Sequence, residues 1–354
     1  MNRSPLERAA LRARFGIEQA ARVGWYAANN MTAVRRARAL AKDLPPLPRP
    51  KVSSPAGVPD RARLLPHIRR LLADDLANVE AGLYPMPEDD VASLADLLRR
   101  RERYLEDLPE VVRRRHLRAS QEVDRETGKR PRYYLQNFHY QSGGWMTAES
   151  AALYDTQVET LFFGAAAAMR RQGLVPIAQE VRGRDQRTMR LLDIACGTGA
   201  FLRDVARAFP RLPAIASDLS EPYARWARSA LADRPTVRAV VGNAEALPFA
   251  DGTIDIVTNV YLFHELPPKV RPVVALEMAR VVRPGGIVVV IDSLQTGDTP
   301  ELDGLLELFP QMFHEPYYES YTKTDIAALF ATGGLVAERV WPAFFSKVFV
   351  FRKP

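Results

Sequence analysis

From Met189 onward, short apolar runs alternate with helical segments. Strands are expected near 189–195, 213–217, 236–241, 254–260 and 286–291, with helices near 199–209, 221–232, 268–282 and 323–332. Regular alternation of this kind specifies a parallel sheet covered by helices on both faces. The final segment, GGLVAERVWPAFFSKVFVFRK, instead reads as two strands joined by a short connection around Pro342, as in an antiparallel hairpin. The expected class is therefore α/β.

The first half of the chain has a different texture. Leu6 to about Ala41 lacks proline and reads as one or two helices, and Asp43 to Pro59 is a proline-rich linker or strap. Helical patterns follow at 62–82 and 90–120, and a further helix is expected from Ala148 to Arg171. Residues 1–130 are thus read as a helical extension and 131–354 as the catalytic domain. The net charge of +7 sits in the first half: residues 1–150 hold 27 Lys and Arg against 19 Asp and Glu, whereas 151–354 hold 22 against 23. That asymmetry suits either an anionic partner or a solvated helical face. No run approaches the roughly 18 continuous apolar residues of a membrane span, and the N-terminus lacks a secretory apolar segment, so a cytoplasmic location is expected. The single cysteine, Cys196, has no partner for a disulfide or a cysteine-based zinc site.

The first strand and turn read LLDIACGTGAFL, Leu191 to Leu202. A strand running through a glycine turn into a helix brings open backbone to the carboxyl edge of the sheet, where α/β folds bind ligands. Gly197 and Gly199 allow close approach, but position 202 is Leu, so the dinucleotide-binding glycine pattern is incomplete. Asp218 ends the second strand and suits a ribose with two free hydroxyls. Asn243 offers an amide to an adenine edge, and Leu219 an apolar surface for the ring.

Together these segments resemble a class I S-adenosylmethionine-dependent methyltransferase, closest in style to the ubiquinone and menaquinone methyltransferases. Asp193 to Gly199 match the first motif, Asp218 the ribose acid, Asn243-Ala244 the adenine motif, and VVRPGGIVVVID the glycine turn before the fifth strand. The resemblance implies a Rossmann-like seven-stranded sheet in the order 3-2-1-4-5-7-6, with the last strand antiparallel. It also implies S-adenosyl-L-methionine as cofactor and S-adenosyl-L-homocysteine as product. Asp193 and the Gly197 carbonyl would hold the methionyl ammonium, with Ala195 and Gly199 also cofactor-binding in the same turn, Asp218 the ribose, and Leu219, Asn243 and the Ala244 amide the adenine. Val260 would contribute a backbone carbonyl.

Three segments compete to form the acceptor site. The aromatic segment 131–147 supplies Tyr134, Phe138 and Trp145 as walls, with His139 and Tyr140 as candidate catalytic groups. The turn after the fourth strand supplies Tyr261 and His264, a candidate base. An insertion at about 294–322, of the sort that forms acceptor lids, supplies His314, Tyr317, Tyr318 and Tyr321, and Asp292 faces that side. No His-Glu pair has a second histidine at zinc-ligand spacing, so no metal is expected. The expected reaction is in-line methyl transfer to a small aromatic or lipophilic metabolite. The rival readings are RNA methylation on the basic N-terminal region and a non-catalytic cofactor-binding module, with the first helix lying on a membrane surface. Oligomeric state leaves no mark in the sequence.

Overall fold

The computed structural model describes residues 4–88, 93–123 and 130–354. Chain order begins with α1 (Pro5–Leu40), α2 (Arg61–Glu80) and α3 (Leu94–Leu117), followed by α4 (Ala148–Leu161), α5 (Ala166–Arg171) and α6 (Leu174–Val181). The first half of the sheet is β1 (Leu191–Ile194), α7 (Ala200–Ala208), β2 (Ala214–Asp218), α8 (Glu221–Ala230) and β3 (Val237–Val241). There follow β4 (Ile254–Val260), α9 (Arg271–Val281), β5 (Val282–Ser293), α10 (Asp303–Met312), α11 (Tyr318–Tyr321), α12 (Ile326–Ala331), β6 (Val336–Ala343) and β7 (Ser346–Arg352).

The strands form one sheet in the order β3-β2-β1-β4-β5-β7-β6, as expected. All pairs from β3 through β5 are parallel, and β7 runs antiparallel to both β5 and β6. Six consecutive residues of β4, Ile254 to Asn259, are buried, because helices cover both faces and every side chain must then enter a core. One core lies between the sheet and α6–α8; the other lies beneath α9 and α12, where Phe330 stacks on Phe351 with centroids 4.4 Å apart. The fifth strand begins earlier than the sequence suggests. Its Pro284-Gly285-Gly286 turn shifts the register against β4, and a Cβ at Gly286 would press on the Asp255 carbonyl.

One helical expectation is narrowed and another changes. The 6–41 pattern is a single helix of 36 residues, opened by a Ser4 capping box with Glu7. The 148–171 pattern is broken between α4 and α5, where Phe163 and Gly164 adopt positive φ (54° and 80°). Gly164 lies against α1, leaving its carbonyl to accept from Arg22 Nε at 2.9 Å. The expected 90–120 helix begins at Leu94 among the described residues, and its first positions lie outside them.

The N-terminal helices share cores with the sheet domain. Val79 and Tyr84 enter the core beneath the sheet, and Leu64, Ile68 and Leu71 pack with Leu294, Leu302 and Leu306. Buried ion pairs join the same parts: Asp75 of α2 with Arg171 of α5 at 2.6 Å, and Arg22 of α1 with Glu159 of α4 at 3.0 Å. The proline-rich strap then lies along α10. Ser53 Oγ donates to Glu307 Oε1 at 2.7 Å, Ser54 N–H to Glu307 Oε2 at 3.2 Å, and Lys51 exchanges two bonds with Gln311. A Cβ at Gly304 would collide with the Gly57 carbonyl. Gly304→Val is therefore expected to lift the strap, costing about 1–3 kcal/mol by overpacking and speeding tryptic cleavage at Arg49 and Lys51. Unchanged cleavage would show that the strap does not depend on this contact.

Candidate active site

The turn after β1 is built for ligand approach. Ala195 and Gly197 both adopt φ 55° and Gly199 φ 79°, and the space above Gly197 is open, with no atom within 4 Å of where a Cβ would stand. Asp218, at the end of β2, holds this turn by accepting the Gly197 N–H at 2.9 Å and the Ser220 N–H at 2.7 Å. Each carboxylate oxygen keeps a further lone pair for a ligand. Burial pushes the Asp218 carboxyl up to about 6, against the lowering effect of those two amides.

A cavity opens at this edge, lined by Ala195, Gly197, Asp218, Leu219, Asn243, Ala244 and Val260. The aromatic segment closes its other side, with Tyr134, Phe138 and Trp145 joined by Tyr154 of α4 and Tyr223 of α8. Phe138 and Trp145 stack at 5.9 Å, and Trp145 meets Tyr154 edge-on at 5.4 Å. Tyr133 Oη donates to Glu245 Oε1 at 2.8 Å, and Ser220 Oγ donates to the Trp145 carbonyl, so the segment is tied to the rim it covers. Among the described residues no Lys or Arg lines this cavity, whereas Asp218 and Glu265 do.

Two expected cofactor residues lie elsewhere. Asp193 is 1% exposed beneath the turn and accepts from Thr258 Oγ1 at 2.7 Å; it is not on the cavity wall, and burial pushes its carboxyl up to about 7. Gly199 caps α7 and packs against Leu231 and Ala227 of α8, so its missing side chain serves helix packing.

A second cavity, of about 440 Å³, adjoins the first and shares Tyr154, Tyr261 and Glu265 with it. Its walls are mostly apolar: Leu161 ends α4 and Phe162 and Phe163 follow it, Leu305, Leu308, Phe309 and Met312 come from α10, and Phe345 from the β6–β7 turn. His139, His264 and Glu265 meet at one corner, and Asn30, Arg115 and Ser293 also reach the wall. His139 Nε2 lies 2.6 Å from Glu315 Oε1 and 3.1 Å from Glu265 Oε1. His264 Nδ1 lies 2.6 Å from Asp292 Oδ1, and Asp292 also accepts the Phe263 N–H at 2.8 Å. Burial disfavours the charged ring at both histidines. The neighbouring carboxylates outweigh it, raising His139 to about 10 and His264 to about 9. With those partners alone, both rings hold a proton at neutral pH, which departs from the free base expected at His264.

Several expected acceptor residues stand behind the walls. Tyr321 is fully buried and donates to the Ser293 carbonyl, Tyr317 packs on Tyr133, and His314 Nε2 meets Gln136 Oε1 at 2.6 Å. Tyr140 packs on the His314 ring, and Asp292 acts through His264. None of these five lines either cavity, whereas Tyr261 and Tyr318 line the apolar one. Glu265, Glu315, Tyr154 and Phe309 were not singled out from the sequence. Glu265 and Glu315 each follow a histidine, but nothing local shows that 139, 265 and 315 converge.

The sheet order and the turn geometry are those of the class I methyltransferase fold. Residues 191–286 match the family model described as a methyltransferase domain. The chain is 37% identical over 97 residues to a malonyl-[acyl-carrier protein] O-methyltransferase of Methylococcus capsulatus, which covers 27% of this chain and 34% of that protein. It is 33% identical over 148 residues to a demethylmenaquinone methyltransferase of Thermus thermophilus, covering 42% and 64%. The chain thus spans less than two thirds of the length of these curated relatives. A solved S-adenosylmethionine-dependent methyltransferase of Aquifex aeolicus superposes with a TM-score of 0.40 at 18% identity, over 51% of this chain and 88% of that one.

Proposed function

We propose that the chain transfers a methyl group from S-adenosyl-L-methionine to a small lipophilic acceptor held in the apolar cavity. One observation carries the cofactor part: a cavity at the β1 glycine turn walled by two carboxylates and several aromatic rings, with no basic side chain among the described residues. Such a wall rejects phosphate and favours a cationic, sugar-bearing ligand, since carboxylates and ring faces both attract a sulfonium charge. The donor set fits adenosylmethionine: Asp218 for the ribose, Leu219 and Asn243 for the adenine, and the Val260 backbone for the amino acid end. Asn243 is fixed for this role by accepting the Glu245 N–H at 3.0 Å.

When bound, the cofactor supplies an electrophilic methyl group. This chain's residues orient and enclose. Tyr154, Tyr261 and Glu265 form the partition between the two cavities, so donor and acceptor meet across them, and the surrounding rings exclude water. The apolar walls suit a hydrocarbon body, and the His139–Glu265 corner suits one oxygen-bearing end. The resemblance to demethylmenaquinone methyltransferases supports trying a reduced quinone first as acceptor.

The RNA reading loses ground because several basic side chains of the extension are ion-paired within the chain. Arg12 pairs with Glu80, Arg14 with Glu18, Arg22 with Glu159, Arg100 with Asp96, and Arg113 and Arg114 with Glu122. Among the described residues no helix is long and apolar enough to cross a membrane. Leu6 and Ile17 of α1 are 80% and 70% exposed, which is the feature that keeps surface contact with lipid in view.

The test pairs binding with transfer. S-adenosylhomocysteine at about 100 times its dissociation constant should stabilise the protein by roughly 2.7 kcal/mol. Methyl-labelled cofactor should then label a reduced quinone or another phenolic lipid, and Phe309→Ala should raise the KM for that lipid without weakening S-adenosylhomocysteine. Stabilisation without any labelling across lipophilic phenols and enols would overturn the acceptor class and leave the cofactor reading standing.

A further inference from the structure

We infer that His139, Glu265 and Glu315 form a binding site for one divalent metal ion at the corner of the acceptor cavity. Their ligand atoms, one imidazole nitrogen and two carboxylate oxygens, all lie within 4.8 Å of one another. The two contacts of His139 Nε2, at 2.6 and 3.1 Å, bracket the separation of about 3 Å between neighbouring ligands that each stand about 2.1 Å from one ion.

Two further observations point to a ligand. The first is an unmet valence: Glu315 is 4% exposed, and its Oε2 has no hydrogen-bond partner among the described residues; nor has Glu265 Oε2. A buried carboxylate oxygen left without a donor is costly. The second is charge. Three carboxylates, Glu265, Glu315 and Asp292, face two imidazoles: His139 lies against Glu265 and Glu315, and His264 lies 2.6 Å from Asp292 and 3.7 Å from Glu265. Arg115 lines the same cavity, but its guanidinium is laid on the Phe313 ring, 5.0 Å from the centroid. A divalent ion held by the imidazole nitrogen and the two carboxylate oxygens would match the charge that Glu265 and Glu315 bring to this corner.

One imidazole and two carboxylates form a donor set of intermediate hardness, suited to Mn2+, Fe2+ or Zn2+ and unsuited to soft ions such as Cu(I). With three protein ligands, the remaining coordination positions open toward the acceptor cavity, which His139 and Glu265 line. There they take an oxygen of the acceptor, such as a phenolate, enolate or carboxylate, and so fix which end of a lipophilic molecule points at the partition. Histidine spacing along the chain gave no hint of this, because the ligands come from the aromatic segment, the turn after β4 and the loop after α10.

The ion site is tested without cofactor or acceptor, so its failure is separate from any failure of methyl transfer. Full-length protein stripped with a chelator is titrated with Mn2+ alone, and free Mn2+ is followed by its paramagnetic resonance signal. One Mn2+ should bind per chain and be displaced by Zn2+. Glu315→Gln should weaken Mn2+ by about tenfold or more while still binding S-adenosylhomocysteine, which confirms that it is folded; Glu265→Gln should weaken Mn2+ likewise, its fold being checked by circular dichroism and a cooperative melt. No saturable Mn2+ or Zn2+ binding by the wild-type chain would overturn the proposal. So would unchanged Mn2+ affinity in the folded variants. A Glu315→Gln protein that melts higher than wild type while neither responds to Mn2+ would show that the two carboxylates merely share a proton, which overturns it too.

Discussion

Asp218→Ala is expected to weaken S-adenosylhomocysteine by about 2–4 kcal/mol, or roughly thirtyfold to a thousandfold, when binding is measured by calorimetry. The side chain does two things at once. Its outward lone pairs would take both ribose hydroxyls, each a hydrogen bond to a charged group worth about 1.5–3 kcal/mol, and it anchors the Gly197 amide that shapes the turn. Asp218→Asn should recover little, because an amide keeps one acceptor oxygen and turns donors toward the Gly197 and Ser220 N–H groups. The pH dependence has a definite sign. Burial raises this carboxyl to about 6, so it is ionised above that value and protonated below it. Affinity should be fully developed near pH 7.5 and fall by roughly tenfold at pH 5, one unit below the titration point. A flat profile between those pH values, or an alanine variant that binds like wild type, would remove Asp218 from the ribose site.

Arg171→Ala should be the most destabilising single change of the ion-paired residues, at about 3–5 kcal/mol in urea unfolding. Its partner Asp75 is fully buried and receives Arg171 Nη2 at 2.6 Å and Nε at 3.1 Å, with the Tyr84 hydroxyl donating at 2.8 Å. Removing the cation leaves a charge in the core with one hydroxyl for company, which costs far more than an exposed pair is worth. The double variant Asp75→Leu with Arg171→Met should regain most of the loss, since apolar groups of similar volume replace a buried pair at little net cost. Because this pair ties α2 to α5, the result bears on whether residues 61–80 are integral to the domain. A loss below about 1 kcal/mol would mean that the extension is loosely applied.

Local chemistry made most of the sheet legible. β1, β2, β3 and β4 each fall within a few residues of the expected runs; β1, β2 and β4 do so because a parallel strand buried on both faces writes itself as a short apolar block. The break between α4 and α5 was hidden, since Gly164 turns the chain only because α1 lies against it, 142 residues away in sequence from its Arg22 bond. The same contrast runs through the site. The turn from Ala195 to Gly199, with Asp218 and Asn243, is local to strand ends, and strand ends are what periodicity locates. Asp193 looked identical in kind, yet it points beneath the turn to Thr258.

By itself the sequence determined the α/β class, the strand order through a family resemblance, and the edge of the sheet where a ligand would sit. Those features depend on residues close together in the chain, or on strands whose order follows from right-handed crossovers. Only the tertiary structure decided that the tyrosines 317 and 321 are wall supports, that α1 and α2 pack into the cores of the sheet domain, and that His139, Glu265 and Glu315 converge. The reason is geometric. Side chains 126 and 50 residues apart meet only after three independent segments have been packed into place, and no periodicity along the chain records which way each one finally faces.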